Sequence, residues 1–286
     1  MGIGILSPQE VLKLHHGIKG PKGISRPSGD PLDPLVHESS IDLPLGDKYW
    51  VMKGSCRTGR TGKVSADLIP RFSRDKTPKS LKGNLVLEKN HVYLFEADCE
   101  LNLGEKNIEG KATAKSSIGR LDVLVRLLSD AASEFDRVAQ HYSGRLYIEV
   151  TPITFSLIVR PGDCLSQLRL FRGSDRLVNI TQEAFDCEDE FPVVDPSPET
   201  RDPQAVGYPF RLDLTPDKGS GFSGFVAKRN VQEPIDPNKK AFYDPRKFWE
   251  GVRHSDNSIK LRPDRLYILR SKERLSMPDH IGRAQQ

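Results

Sequence analysis

The sequence predicts a mainly β protein, a distorted β-barrel or jelly roll with a few helices, followed by a second, incomplete copy of the same fold. Three observations carry this expectation. Short apolar runs at 49–52, 85–87 and 92–95, set between turn residues, have the length and spacing of strands in an all-β domain. Residues 143–151 alternate Leu146, Ile148 and Val150 with Tyr147 and Glu149, the period of two of a strand with one buried face. Finally, residues 87–103 align without a gap on residues 261–277, and Ile41-Asp42-Leu43 matches Leu212-Asp213-Leu214 at nearly the same offset, 171 against 174 residues. Two copies of one fold explain both matches.

The elements follow in chain order. Ser7-Pro8-Gln9-Glu10 reads as an N-cap, a proline at the first helical position and a capping-box glutamate, opening a short helix with Val11, Leu12 and Leu14 on its apolar side. Residues 20–34, rich in Gly and Pro, form a loop. Strands begin at Ile41. The basic stretch from Arg57 to Lys63 is expected to be a solvated loop, and it lacks the spacing of a phosphate-binding loop. The one long helical pattern runs from Ser116 to Phe135. Glu149 points away from the aliphatic face of its strand. Pro161-Gly162 turns the chain between two further strand-like runs.

Residues 1–172 make the first domain, 173–207 an acidic, proline-rich linker, and 208–286 the second, truncated repeat. At an offset of 174 the counterpart of Ser116 would fall at position 290, past Gln286, so the second copy is expected to carry no full site. An unfinished barrel exposes strand edges and apolar surface, which predicts low solubility or reliance on a partner.

Composition narrows the class. The chain has 286 residues and a net charge of +4, too mild a positive charge to imply a nucleic-acid polymer as partner. No apolar stretch is long enough for a membrane span and no signal-peptide core is present, so the expected location is the cytoplasm, with reduced thiols. Cys56, Cys99, Cys164 and Cys187 form no Cys-x-x-Cys pair, and the seven histidines are isolated or, as His15-His16, on the first helix. A catalytic zinc is therefore not expected.

Two groups of residues suggest chemistry. Lys115, Ser116, Ser117 and Arg120 put two hydroxyls and two positive charges within one turn, and Ser116 with Arg120 four residues on would share a helix face and grip a phosphate. The plain alternative is a serine N-cap followed by a solvated arginine. Glu149 is the second group: a buried carboxylate could act as general acid and base, whereas an outward strand glutamate would simply sit in water.

Five pieces, in order, resemble the dCTP deaminases of the trimeric dUTPase-like superfamily, closest to the long two-part bacterial form: Gly4-Ile-Leu-Ser7, Ser40-Ile-Asp-Leu-Pro-Leu-Gly46, Lys115-Ser-Ser-Ile-Gly-Arg120, Ser143-Gly-Arg-Leu-Tyr-Ile-Glu149 and Arg160-Pro-Gly-Asp-Cys-Leu-Ser-Gln-Leu168. The resemblance spans roughly residues 3–170. It implies deamination of dCTP to dUTP and ammonia, with Ser116 at the phosphates, Arg120 in the active site and Glu149 as the catalytic acid/base. Lys115 and Ser117 join Ser116 in binding substrate. The base-recognising backbone falls near Leu128, Ser129 and Asp130, and Gln167 lies near the phosphates. Extra residues between Arg120 and Glu149, at 130–137, depart from the family pattern in the base-contacting loop. Magnesium enters bound to the triphosphate, and the assembly is a trimer with nucleotide sites at subunit junctions. The alternatives are a dUTP pyrophosphatase or a bifunctional enzyme, with Asp130 or Asp136 aiming a water at the α-phosphate, and a non-catalytic nucleotide-binding or assembly module.

Overall fold

The computed structural model describes residues 4–15, 23–104, 107–173, 193–194, 210–254 and 258–275. The chain divides into two units: residues 1–178 with 232–239 and 286, and residues 179–231 with 240–285. The expected linker lies almost wholly outside the described residues.

In the first unit the chain runs β1 (Gly4–Ile5), α1 (Pro8–His15), β2 (Ile24–Ser25), β3 (Ile41–Met52), α2 (Ile69–Phe72), β4 (Lys79–Ser80), β5 (Leu85–Leu87), β6 (Val92–Asn102), β7 (Ile108–Ala114), α3 (Ser116–Gly119), β8 (Val123–Leu128), β9 (Arg137–Val138), β10 (Ser143–Pro152), β11 (Leu157–Val159) and β12 (Cys164–Arg172). The capping box forms as expected: the Glu10 N–H donates to Ser7 Oγ and the Ser7 N–H to Glu10 Oε2 at 3.0 Å.

The main sheet has the order β8-β10-β6-β3-β12-β7-β9, and β7 lies against β8, so the sheet curls into a nearly closed barrel. Inside it sits the large core, with Ile41, Leu43, Phe95, Leu101, Ile148 and Leu168 among its members. A second apolar layer covers the outside of the β3-β6-β10-β8 wall. There Trp50, Met52, Leu94, Leu128 and Tyr147 meet Val64, Leu68 and Ile69 from the segment after β3. The alternation along β10 therefore divides between two cores: Leu146, Ile148 and Val150 face inward, while Tyr147 joins the outer layer. Period two survives, but both faces are covered.

The expected helix from Ser116 to Phe135 is corrected. Only Ser116–Gly119 is helical, and the chain is a strand from Val123 to Leu128. Asp122 ends the turn in the left-handed region at φ 57°, and Thr154 Oγ1 fixes it by donating to Asp122 Oδ2 at 2.6 Å. From there Val123 and Val125, β-branched and buried, alternate with Leu124 and Arg126, and pairing with β10 outweighs the helical spacing of the leucines.

In the second unit β13 (Val193–Val194), β14 (Leu212–Asp213), β15 (Gly224–Ala227), α4 (Pro245–Phe248), β16 (Trp249–Val252), β17 (Tyr267–Ser271) and β18 (Arg274–Leu275) follow. Its small sheet has the order β14-β17-β15-β16. Ile41, Asp42 and Leu43 of β3 pair in register with β12, β3 meeting β6 from Leu45 on, whereas Leu212 and Asp213 of β14 pair with Ser271 and Arg270 of β17. Phe210, Leu212, Phe225, Phe242 and Leu261 of this half are exposed.

Candidate active site

Glu149 sits in the middle of β10, flanked in register by Leu94 of β6 and Arg126 of β8. Because the outer layer covers that face, the residue is only 3 % exposed. Burial pushes the carboxyl above the ordinary glutamate range; a hydrogen bond from Ser55 and the positive charge of Arg126 pull it back, and the nearby Asp136 pushes it up again. Ser55 Oγ donates to Glu149 Oε1 at 2.6 Å, and no other hydrogen bond reaches this carboxylate among the described residues. Asp136 is also raised by burial, held down in part by the Leu127 N–H, which donates to its Oδ1 at 2.7 Å.

Ser55 and Arg126, the two neighbours of Glu149, line an open cleft of about 810 Å³ together with Cys56, Arg57, Arg60 and Phe135 among others; Glu149 and Asp136 lie behind this lining. The guanidinium of Arg126 lies over the Phe135 ring at 4.5 Å from its centre, and that of Arg57 at 5.7 Å. Burial, and then the charge of Glu149, push the Cys56 thiol above its ordinary range. The stretch 57–63 is the expected loop, with Arg57, Arg60, Thr61 and Lys63 exposed, and it also supplies Arg57, Gly59 and Arg60 to the cleft wall. It is tied to the 129–135 loop: Thr58 Oγ1 donates to the Ser129 carbonyl at 3.2 Å, the Ala131 N–H to the Gly62 carbonyl at 2.7 Å, and Arg57 Nη1 to the Ser133 carbonyl at 2.6 Å.

Of the three residues assigned to base recognition, Leu128 is buried in the outer apolar layer. The buried Ser129 hydroxyl donates to the Arg137 carbonyl at 3.1 Å, and Asp130 accepts the Val64 N–H at 2.8 Å. Part of this polar capacity is therefore engaged within the chain.

The second group lies elsewhere on the barrel. Lys115 Nζ donates to Asp42 Oδ2, and His37 Nε2 lies 3.1 Å from the same oxygen. Asp42 Oδ1 is buried and has no hydrogen-bond partner among the described residues. Gln167 pairs in register with Asp42 on one side and Thr113 on the other; its Nε2 donates to Thr113 Oγ1 at 3.3 Å and its Oε1 accepts from Ser40 Oγ at 3.4 Å. Ser116, Ser117 and Arg120 are exposed on the α3 turn.

No hydrogen bond or ion pair joins Arg120 to Glu149. The register explains the separation. Val123 pairs with Pro152, three residues and about 10 Å along the strand from Glu149, and Arg120 precedes Val123. The arginine beside Glu149 in this chain is Arg126, which the sequence reading passed over. Its one signal was a charge inside the apolar run from Val123 to Leu128. Ser55 had no such signal. Among the described residues, no three His, Cys, Asp or Glu side chains are grouped to hold a metal ion.

Comparison with known proteins identifies the chain. The 2'-deoxycytidine 5'-triphosphate deaminase (DCD) N-terminal domain matches residues 3–174, and the DCD C-terminal domain matches residues 181–284. A crystal structure of 2'-deoxycytidine 5'-triphosphate deaminase from Agrobacterium tumefaciens is similar at a TM-score of 0.82 and 29% identity, over 97% of this chain and 78% of that one. A dUTPase from phage phi11 of S. aureus matches 31% of this chain and 70% of its own, at 16% identity and a TM-score of 0.25, too low to carry an argument. No curated protein matches. Both family domains occur in order and cover nearly the whole sequence, so the chain belongs to the 2'-deoxycytidine 5'-triphosphate deaminase family.

Proposed function

We propose that this hydrolytic deaminase of dCTP works through Glu149 as a single acid/base, without zinc. The observation that carries the reading is a buried carboxylate, raised by burial, whose hydrogen-bond donor Ser55 and charged neighbour Arg126 line an open cleft. As a base, Glu149 takes a proton from a water whose oxygen bonds to C4 of cytosine. It delivers that proton to N3 as the C4–N3 double bond becomes single, and then carries the remaining hydroxyl proton at C4 to the exocyclic nitrogen as the C4–N bond breaks, releasing ammonia and leaving N3–H and the C4 carbonyl of dUTP. Arg126 offsets the negative charge at Glu149 while the base form waits. Magnesium belongs to the substrate, as Mg–dCTP. The dUTP formed would feed pyrimidine deoxynucleotide supply, and we assign the enzyme to the cytoplasm. No described helix is long and apolar enough to cross a membrane.

The phosphates would rest on Lys115, Ser116, Ser117, Arg120 and Gln167, and the base against the backbone of 128–130. The exposed α3 turn and the register distance from Glu149 favour a trimer whose sites draw α3 from one chain and Glu149 from another. The second half, 208–286, would then serve assembly rather than chemistry.

Incubating the protein with Mg–dCTP and, separately, Mg–dUTP and resolving the products tests this. We expect dUTP and one equivalent of ammonia from dCTP, and no reaction with dUTP. Pyrophosphate and dUMP from dUTP would establish the bifunctional alternative.

A further inference from the structure

Within the reading of Glu149 as the acid/base, the two oxygens of its carboxylate are not equivalent. Ser55 Oγ donates to Oε1 at 2.6 Å, while Oε2 has no hydrogen-bond partner among the described residues and is not a sealed, unsatisfied atom. A carboxylate on a strand can swing about its last torsion, so a single short bond to one oxygen selects which oxygen faces the reacting atoms. Ser55 stands 94 residues away in sequence, on the loop that follows β3. That loop is bound at three further points to the 129–135 loop, through Thr58, Gly62 and Arg57. The donor is therefore held by the segment expected to meet the base.

We infer that Ser55 is a positioning residue for deamination: it anchors Glu149 Oε1 and leaves Oε2 as the oxygen that moves the proton. The inference rests on the acid/base reading of Glu149. When Oε2 gains the proton, the hydroxyl still donates to Oε1, so one geometry serves both halves of the cycle. Other charged or titratable groups facing the carboxylate are Arg126 from β8, Asp136 from the following loop, and Cys56 beside Ser55; Leu94 of β6 is apolar. Among the described residues, only Ser55 both hydrogen-bonds the carboxylate and can be removed without deleting a charge. It is also exposed, so its truncation leaves the core untouched.

The test compares pH profiles of kcat/KM for dCTP in the parent, Ser55→Ala, Ser55→Thr and Glu149→Gln proteins. A donor to the charged form favours that form, so its loss must move the acid limb to higher pH. We expect Ser55→Ala to show this shift, to lower kcat roughly tenfold near neutrality, the size of one charge-assisted hydrogen bond, and to leave KM within about twofold. Ser55→Thr should restore the parent limb. An unshifted Ser55→Ala profile, with Glu149→Gln inactive, would overturn the inference and leave the acid/base reading standing. So would a uniform loss at all pH values that threonine does not rescue, since that marks a merely structural serine. A Glu149→Gln protein active at the parent rate would instead remove the reading beneath it.

Discussion

Glu149 owes its properties to being a charged group in a place built for apolar ones. Its neighbours on the same face, Leu94, Leu128, Tyr147 and Trp50, exclude water, and desolvation raises the carboxyl first and most strongly. A carboxyl whose pKa is higher folded than unfolded takes up protons on folding. It contributes stability below the unfolded value, and that contribution is lost as pH rises through the folded value. Replacing it with glutamine, which carries no charge, should therefore raise the melting midpoint at neutral pH, with the difference from the parent shrinking as pH falls through the carboxylate range. Thermal melts between pH 4 and 8 check this; a midpoint difference independent of pH would show that desolvation of Glu149 is not the cause. Much of this residue was legible: the strand, its alternation and the position of Glu149 off the aliphatic face all followed from residues 143–151. Its burial was not legible, because the covering layer comes from Val64, Leu68 and Ile69, far away in the chain. Ser55 was invisible for the same reason, since a hydroxyl on a loop shows its purpose only when the fold brings a carboxylate to it.

Elements show the same limit in another form. The α1 capping box was read correctly because every partner lies within four residues. The stretch after Ser116 was misread, because its leucines fit a helix locally while its partner strand, β10, lies beyond the next loop. A further long-range element is the 232–239 segment, which belongs to the first unit. Ile235 bridges to Leu157 of β11, and its backbone bonds Ser156 and Ile158. Asp236 is buried and takes both Arg160 nitrogens, at 3.0 and 2.6 Å, while Asn238 Nδ2 donates to Asp163 Oδ1 at 2.7 Å. Arg160 holds the Asp236 carboxyl below the ordinary range. The stability it adds is therefore present above the unfolded aspartate value and lost as pH falls through the folded one. Asp236→Ala should destabilise the first unit by about 1–3 kcal/mol near pH 7, the cost of removing one partner of a bidentate, largely buried pair. Denaturant melts at pH 7 and pH 3 would measure it. An equal cost at both pH values would show that the ion pair contributes nothing.

At the scale of the whole molecule, the turn proposed to bind phosphate and the proposed acid/base, Glu149, stand apart in one chain, and association would unite them. Subunit exchange tests this directly. Neither Arg120→Ala nor Glu149→Gln should turn over dCTP alone. Mixed and re-equilibrated, they should recover about a quarter of the parent activity, the chance that two contributing chains supply complementary intact residues. No recovery, with mixed oligomers shown to exist, would mean that each site takes both residues from one chain. Metal removal tests the chemistry at the same scale. After exhaustive stripping of transition metals, full activity should return with magnesium alone; a requirement for stoichiometric zinc would contradict water activation without a protein-held metal.

The assignment of Glu149 is tested most directly by single-turnover conversion of Mg–dCTP in the parent and Glu149→Gln proteins, with nucleotide binding measured alongside. Glutamine keeps the shape and removes the base, so binding should stay within a few-fold while dUTP formation falls by at least ~10², the contribution typical of a general acid/base group. Formation of dUTP by the variant at the parent rate would contradict the assignment.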